Sequence, residues 1–229
     1  MSDQVRQFQN NSDEQAVRGF LHTPEKAAGD GLVLTHGAGT NCEASLLVAL
    51  AEAFCDAGMA VLRCDLPFRQ ARPHGPPIRG SAERDQSGLR RAVEAMRKIV
   101  PERVFLGGHS YGGRQASMLA ASEPGLVPTL LLLSYPLHPP KKRDEMRTAH
   151  FSALQTPAMF VSGTRDGFGT IEEIREALKL IPARTELLAI EGAGHELMTA
   201  KNRGELPTKI ATAFLNFLDG GRGDTAASA

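Results

Sequence analysis

Ser110 is a candidate nucleophile because of the residues on either side of it. It is the middle residue of Gly-His-Ser-Tyr-Gly at positions 108–112, between an apolar, strand-like run and an alanine-rich helical segment. A serine on a sharp strand-to-helix turn needs residues without side chains two positions before and after it, and Gly108 and Gly112 meet that need. The following helix would direct its N-terminal amides at the serine, where negative charge develops during attack. The pattern predicts a catalytic serine rather than a structural glycine turn.

Two later residues have the types and positions of an acid and a base. A serine hydroxyl needs a base to take its proton, and the base needs a carboxylate to fix its tautomer. His195 lies between the last predicted strand and the final helix, and Asp166 follows the strand before it. Asp144 and Glu145 are alternative acids, but they lie in a lysine- and proline-rich connection, where we predict a solvated role. The order Ser110, Asp166, His195 is the chain order expected of a triad built on such a turn.

A second glycine-containing loop could stabilise the charge that develops during attack. The sequence His-Gly-Ala-Gly at positions 36–39 follows another predicted strand. We expect the backbone N–H of Ala38, together with that of Tyr111, to form an oxyanion hole, with Gly37 as the second choice for the first donor. A dinucleotide-binding Gly-x-Gly-x-x-Gly that begins at Gly37 fails at Cys42, and no Gly-Lys-Ser/Thr is present. A phosphate-binding loop is therefore disfavoured.

The elements that must position these residues can be predicted from hydrophobic periodicity. Apolar runs that read as buried strands lie at 31–35, 60–64, 103–106, 129–134, 158–162 and 186–190, and a run at 16–21 is predicted as an antiparallel edge strand. Helical faces are formed by Leu46, Leu47, Leu50 and Phe54, by Leu89, Val93 and Met96, by Ile171, Ile174, Leu178 and Ile181, and by Ile210, Phe214 and Phe217. Apolar strands that alternate with helices predict the α/β class, with a mostly parallel sheet covered on both faces. Ligands bind beyond the carboxyl ends of such strands, where the candidate residues lie.

Length and composition indicate one domain in a neutral chain. We predict a flexible N-terminal segment at 1–15, a single domain at 16–218 and a disordered tail at 219–229. Lysine plus arginine equals aspartate plus glutamate at 26 each, so no global field attracts nucleic acid or a membrane surface. Three cysteines without metal-ligand spacing, a polar N-terminus and no membrane-length apolar run lead us to expect a cytoplasmic setting.

With these motifs the chain resembles the α/β-hydrolase superfamily over roughly residues 16–218. The sequence Gly-Thr-Arg-Asp at 163–166 and the compact layout look like the dienelactone hydrolase branch, although that branch has cysteine where this chain has Ser110. Three further segments, at 36–39, 135–140 and 147–150, resemble a hydrolase-like family that includes a testis-expressed protein and a subunit of the chromatin-associated non-specific lethal complex. The resemblance implies a hydrolase fold.

The connection at 135–151 marks a place where lid domains are commonly inserted in the resembled superfamily, and it is too short to hold one. We therefore expect an open site, covered at most by this connection and the segment 67–80. Five side chains of these two segments could attract an anionic group of a substrate: Arg69, Arg72, His138, Arg147 and His150.

The leading prediction is a serine hydrolase that acts on an ester or similar acyl substrate, with no metal or organic cofactor. Its partner would be a small acyl molecule, and the sequence leaves its identity and the oligomeric state open. Two alternatives remain. A binding or scaffold protein could keep the fold without turnover, and the same residues could transfer an acyl group to an acceptor other than water.

Overall fold

An eight-stranded sheet forms the centre of the computed structural model, which describes residues 5–10 and 16–225. Its strands, in chain order, are β1 (Val5–Asn10), β2 (Val17–His22), β3 (Gly31–Thr35), β4 (Ala60–Cys64), β5 (Val104–His109), β6 (Leu130–Leu133), β7 (Ala158–Gly163) and β8 (Thr185–Ile190). They lie side by side in the order β1-β2-β4-β3-β5-β6-β7-β8. The six strands from β3 onward are parallel to one another, so the predicted α/β class is confirmed.

The central parallel strands lie where their apolar residues predict them. Every residue of β3, β4, β5, β6 and β7 is buried, as expected of strands covered by helices on both faces. Strand β5 is longer than predicted, because its two glycines and His109 continue the ladder as far as the pair His109 and Leu133. The sheet therefore carries the chain in regular structure up to the residue before Ser110.

The N-terminal edge of the sheet differs from the prediction. Residues 5–10, within the segment expected to be flexible, form strand β1, and residues 1–4 and 11–15 lie outside the described residues. β1 pairs antiparallel with β2, and β2 pairs antiparallel with β4, so β2 is not the edge strand. The side chains of β1 are exposed or half-buried, so hydrophobic periodicity does not reveal this strand.

Helices cover both faces of the sheet. They are α1 (Ser45–Asp56), α2 (Pro67–Ala71), α3 (Ser81–Arg97), α4 (Tyr111–Ser122), α5 (Ile171–Leu178) and α6 (Leu206–Thr225). Leu89 of α3, Leu119 of α4 and Ile174 of α5 belong to the core on one face. Phe54 of α1 and Phe214 of α6 belong to the core on the other face, where their rings meet edge to face at 5.8 Å. Burying such a phenylalanine contributes roughly 1.5–3 kcal/mol.

Helix α6 runs further than the sequence predicts. It continues to Thr225, past the predicted domain end at Leu218 and into the segment expected to be a disordered tail. A helix already anchored by packing gains one backbone hydrogen bond for each residue added, which favours its extension over a polar segment. Residues 226–229 lie outside the described residues.

The connection between β6 and β7 contains only a short 3₁₀ turn at Phe151–Ala153, so the described chain has no lid domain there. Within the same described residues, no helix has the length and apolar character needed to cross a membrane. The loops at the carboxyl ends of β3, β5, β7 and β8 remain as the region in which the candidate residues lie.

Candidate active site

Ser110 lies at the turn between β5 and α4, in a backbone conformation with φ +50° and ψ −115°. This left-handed region is unusual for a residue with a side chain. The turn is held by the backbone N–H of Ser110, which donates to the carbonyl oxygen of Leu133 at 2.8 Å. A Cβ atom at Gly108 would lie 2.6 Å from the nitrogen of Gly113, and one at Gly112 would lie 2.5 Å from the carbonyl oxygen of His36. The flanking glycines are therefore needed for close backbone packing.

The structure brings Ser110, His195 and Asp166 together in hydrogen-bonding order. The Nδ1 atom of His195 lies 2.8 Å from Oδ2 and 3.0 Å from Oδ1 of Asp166. Its Nε2 atom lies 2.8 Å from Oγ of Ser110. Because the carboxylate of Asp166 only accepts, Nδ1 carries a proton in this arrangement, and Nε2 is left to accept the serine hydroxyl proton. Asp166 is buried, whereas Ser110 and His195 are half-buried and keep access to solvent.

Two aromatic rings hold His195 in place, and sequence reasoning assigned neither of them this role. The ring of Phe168 stacks on that of His195, with centroids 4.2 Å apart and an interplanar angle of 31°. His109, the residue before Ser110, donates from Nε2 to the carbonyl oxygen of His195 at 2.9 Å. Burial lowers the pKa of His109, which favours a neutral donor. The backbone N–H of Phe168 also donates to Oδ1 of Asp166 at 2.9 Å, so one short loop orients both partners of the serine.

The predicted oxyanion donors lie beside Ser110. A Cβ atom built at Gly37 would lie 3.5 Å from the Cβ of Ser110, which places the loop after β3 against the nucleophile. Tyr111 is the first residue of α4. Within the described part of the chain, the backbone N–H groups of Ala38 and Tyr111 donate to no protein acceptor. Both groups are therefore available to an oxygen atom next to Ser110.

Arg69, predicted to contact an anionic substrate, has a different role. Its side chain is buried, and its guanidinium donates to five backbone carbonyl groups. Nε donates to Thr40 at 2.8 Å and Nη2 donates to Ala38 at 2.7 Å, both in the loop after β3. The remaining bonds reach the carbonyl oxygens of Arg72, Pro73 and Gly75. A guanidinium with its donors occupied in this way holds the loop that carries Ala38 in place, and these bonds favour a structural role for Arg69 over the predicted substrate contact.

His36 supports the same loop from inside the fold. Its Nδ1 donates to the carbonyl oxygen of Gly37 at 2.8 Å, and its Nε2 accepts from the backbone N–H of Leu66 at 3.1 Å. Burial lowers the pKa of His36, so its neutral form is favoured, and only a neutral ring can accept that second bond. His36 therefore joins the loop after β3 to the loop after β4.

Asp85 holds Tyr111, the other predicted oxyanion donor, through its side chain. This fully buried carboxylate on α3 accepts from the hydroxyl of Tyr111 at 2.7 Å and from the backbone N–H of Phe68 at 2.9 Å. Burial raises the pKa of Asp85 above its usual range, and the two hydrogen bonds oppose that effect. Burial and the neighbouring carboxylate together raise the pKa of Tyr111. The side chain of Tyr111 is thereby fixed at the start of α4.

The other predicted substrate-binding residues divide into three groups. His138 is buried, with Nδ1 donating to the carbonyl oxygen of Pro139 at 2.9 Å and Nε2 lying 3.4 Å from Glu173, so its role is to tie the loop to α5. These contacts favour a structural role for His138 over the predicted substrate contact. Arg72 is exposed at the end of α2. Arg147 and His150 are half-buried on the side of the site nearer to α4.

The alternative acids, Asp144 and Glu145, take no part in the hydrogen bonds among Ser110, His195 and Asp166. Asp144 and Glu145 are both exposed, and Glu145 pairs with Lys142 at 2.6 Å. Among the described residues, no group of three or more histidine, cysteine, aspartate or glutamate side chains is arranged to hold a metal ion.

A parallel sheet with a Gly-x-Ser-x-Gly turn, and with an acid and a histidine on later loops, defines the class of α/β hydrolases. The family model described as "Alpha/beta hydrolase domain" matches residues 28–217, and the chain belongs to that family.

Solved structures of similar proteins agree with this fold. Est1E from Butyrivibrio proteoclasticus is 16% identical, with a TM-score of 0.73, over 93% of this chain and 99% of its own. A dienelactone hydrolase from Anabaena variabilis is 21% identical, with a TM-score of 0.72, over 93% of this chain and 98% of its own. XC6422 from Xanthomonas campestris, described as a serine hydrolase without a lid, is 14% identical, with a TM-score of 0.72, over 95% of this chain and 96% of its own. At these identities the likeness shows the shared fold.

Proposed function

We propose that this protein is a serine hydrolase of the carboxylesterase type, which cleaves an ester or related acyl substrate through an acyl-enzyme intermediate. The observation that carries the proposal is the continuous chain of hydrogen bonds from Ser110 through His195 to Asp166. A buried carboxylate, an oriented imidazole and a serine on a strained turn are the parts that activate a hydroxyl for attack.

In the first step, Oγ of Ser110 bonds to the acyl carbon while its proton passes to Nε2 of His195. The carbonyl electron pair moves onto the substrate oxygen, and the N–H groups of Ala38 and Tyr111 donate to that oxygen. Asp166 stabilises the imidazolium that forms. His195 then gives its proton to the leaving alcohol, and the bond between the acyl carbon and the alcohol oxygen breaks. Removing one such oxyanion donor typically lowers kcat roughly 10²- to 10³-fold.

In the second step, His195 takes a proton from water while the water oxygen bonds to the acyl carbon. Collapse of this second intermediate returns the proton to Oγ of Ser110 and releases the acid. The same geometry would serve an alcohol or amine in place of water, so acyl transfer is an alternative that product analysis distinguishes. A binding protein without turnover is the other alternative, and the labelling experiment described below distinguishes such a protein from an enzyme.

Two finer assignments belong to the same proposal. We propose that the chain is related to the hydrolase-like family with the testis-expressed protein and the non-specific lethal complex subunit, on the basis of the segments at 36–39, 135–140 and 147–150. We also propose a cytoplasmic setting, which is supported by Cys42, Cys55 and Cys64, all buried and unpaired.

The test is labelling with a fluorophosphonate probe, followed by hydrolysis of short-chain 4-nitrophenyl esters. We expect the wild type to label rapidly, and Ser110→Ala and His195→Ala to lose both labelling and ester hydrolysis. Ser122→Ala is the matched control, because Ser122 is an exposed serine at the far end of the same helix, and it should label like the wild type. A folded wild type that does not label would overturn the proposal and favour the binding protein.

A further inference from the structure

Two arginines near the active site lack an acidic partner. Arg114 lies in the first turn of α4, and its backbone N–H donates to the carbonyl oxygen of Ser110 at 3.0 Å. Arg147 lies in the connection between β6 and β7, where its backbone N–H donates to Leu137 at 2.8 Å. Its Nη1 makes one long contact, 3.4 Å, with the carbonyl oxygen of Pro136. Both side chains are half-buried.

The electrostatic surroundings of these arginines differ from those of other partly buried arginines in the chain. Arg90 pairs with Glu123, and Arg103 pairs with Asp30 at 2.6 Å. Within the described residues, neither Arg114 nor Arg147 forms an ion pair with a carboxylate, and the Nε of Arg114 is buried without a hydrogen-bond partner. Burial, and next the charge of Arg114, lower the pKa of Arg147. Two like charges are thus held close together, and Nε of Arg114 has no hydrogen-bond partner, while the Arg114 side chain also interacts with the hydroxyl of Tyr135.

Two side chains that contact the two arginines are neutral, and the acidic side chain that acts on Arg147, that of Glu145, is exposed and pairs with Lys142. His150 lies 2.8 Å from the hydroxyl of Ser117, and burial and Arg114 lower the pKa of His150 to about 4. The hydroxyl of Tyr135 donates to the carbonyl oxygen of Arg147 at 2.7 Å, and burial raises the pKa of Tyr135. At neutral pH both side chains are therefore uncharged, and the cluster keeps the positive charge of its two guanidinium groups.

This cluster borders the triad through a short series of contacts. Leu137, which accepts from the backbone of Arg147, also packs on Gly169, where an added Cβ would lie 3.0 Å from its own Cβ. The backbone N–H of the next residue, His138, donates to the carbonyl oxygen of Phe168 at 3.1 Å, and Phe168 stacks on the histidine of the triad. Arg114 is linked to the nucleophile through the first turn of α4, where its backbone N–H donates to the carbonyl oxygen of Ser110.

We propose that Arg114 and Arg147 form a subsite for an oxyanion group, such as a carboxylate, carried by the acyl substrate of Ser110. The inference rests on the proposed function and names its substrate class. A guanidinium group matches a carboxylate in charge and in hydrogen-bonding geometry. An anion that lies between two guanidinium groups also lowers the electrostatic repulsion between them. The anion site predicted from sequence is thereby narrowed: Arg114 is added, Arg147 is kept, and Arg69 and His138 are removed.

The test compares two esters of equal chain length, 4-nitrophenyl hydrogen adipate and methyl 4-nitrophenyl adipate. The first carries a free carboxylate and the second does not. We expect Arg147→Gln and Arg114→Gln to lower kcat/KM for the charged ester roughly 10- to 100-fold more than for the neutral one, since a hydrogen bond to a charged group is lost. Arg143→Gln is the matched control, because Arg143 is 72% exposed in the same connection, and it should leave the ratio unchanged.

A second measurement separates this subsite from the proposed function. Adipate binding to the Ser110→Ala protein, followed by calorimetry, needs no turnover, and Arg147→Gln in that background should weaken it by a similar factor. If the wild type hydrolyses neither ester, the proposed function fails while this titration still decides the subsite. Equal losses for both esters, an equal effect of Arg143→Gln, or adipate binding that does not depend on Arg147 would overturn the subsite. Arg147→Lys, which keeps the charge without the fork, should recover part of the lost selectivity.

Discussion

At the residue scale, the proposed role of Asp166 depends on the hydrogen bonds that its carboxylate accepts and not on its charge alone. It accepts from Nδ1 of His195 and from the backbone N–H of Phe168, so both of its oxygen atoms are engaged. An amide at this position would present a donor where the histidine needs an acceptor. The histidine would then hold its proton on the nitrogen that faces Ser110.

Asp166→Asn is therefore expected to lower kcat for ester hydrolysis roughly 10³- to 10⁴-fold while leaving the fold intact. Asp144→Asn is the matched control, because Asp144 is the exposed aspartate that sequence offered as the alternative acid. Steady-state kinetics with 4-nitrophenyl acetate measures the effect, and a thermal melt checks the fold. Comparable rates for both variants would remove Asp166 from the mechanism.

Sequence could reveal Ser110, Asp166 and His195 because their positions follow from strand ends and from glycine spacing. It could not reveal Phe168 as the ring that stacks on the histidine, since that contact depends on how two distant loops fold against each other. Arg69 shows the same limit of sequence reasoning for a residue that the sequence did single out. The sequence shows the charge of Arg69, but it does not show the five backbone carbonyl groups that accept hydrogen bonds from its guanidinium, because the fold brings those groups together.

At the scale of elements, the clamp formed by Arg69 connects α2 to the loop after β3. It holds the carbonyl groups of Ala38 and Thr40, and so fixes two peptide units that follow the proposed oxyanion donor. A donor that shifts by about 1 Å can lose much of its effect on the transition state while substrate binding changes little. Arg69 is therefore a positioning residue, which does not itself contact the substrate.

We expect Arg69→Gln to lower kcat roughly 10- to 100-fold with KM little changed. Arg69→Lys should not restore kcat, because one ammonium group cannot replace a fork that reaches five acceptors. Arg79→Gln, an exposed arginine of the same segment, is the control. Steady-state kinetics of all three variants gives the split between kcat and KM. A loss confined to KM would return Arg69 to the substrate-binding role that the sequence predicted.

The elements themselves were predicted to different degrees, for a physical reason. β3 and β4 have their predicted bounds because a strand buried on both faces is apolar at every position. β1 and the five-residue helix α2 were missed. The first is largely solvent-facing and the second is stabilised by contacts of Phe68 and Arg69 with other segments, so neither has a periodic pattern of its own.

At the scale of the whole molecule, stability should depend on pH through His22. This residue of β2 is 2% exposed, and its Nε2 accepts from Nε of the buried Arg63 on β4 at 2.8 Å. Burial, and next the charge of Arg63, lower the pKa of His22 from 6.5 to about 4. As pH falls, the unfolded chain takes up this proton before the folded one does. The stability is therefore complete above about pH 6.5 and is lost as pH falls toward 4.

We expect the free energy of unfolding to fall by an amount on the order of 3 kcal/mol across that window because of His22. Urea unfolding at pH 7.5, 5.5 and 4.5 measures it. His22→Gln should show a shallower dependence on pH, because the amide oxygen accepts the same bond without titrating. If both proteins lose stability in parallel, the acid sensitivity arises elsewhere.

The backbone at Ser110 also bears on the choice between an enzyme and a binding protein. A residue with a side chain at φ +50° costs on the order of 1–3 kcal/mol, which is a considerable fraction of the stability of an ordinary domain. Glycine would occupy the same turn without that cost. A protein that only bound ligands here would become more stable by giving up the serine. The strain at Ser110 therefore supports the proposed enzyme, in which this residue provides a reactive hydroxyl, although Ser134, Lys141 and Leu197 also have positive φ angles.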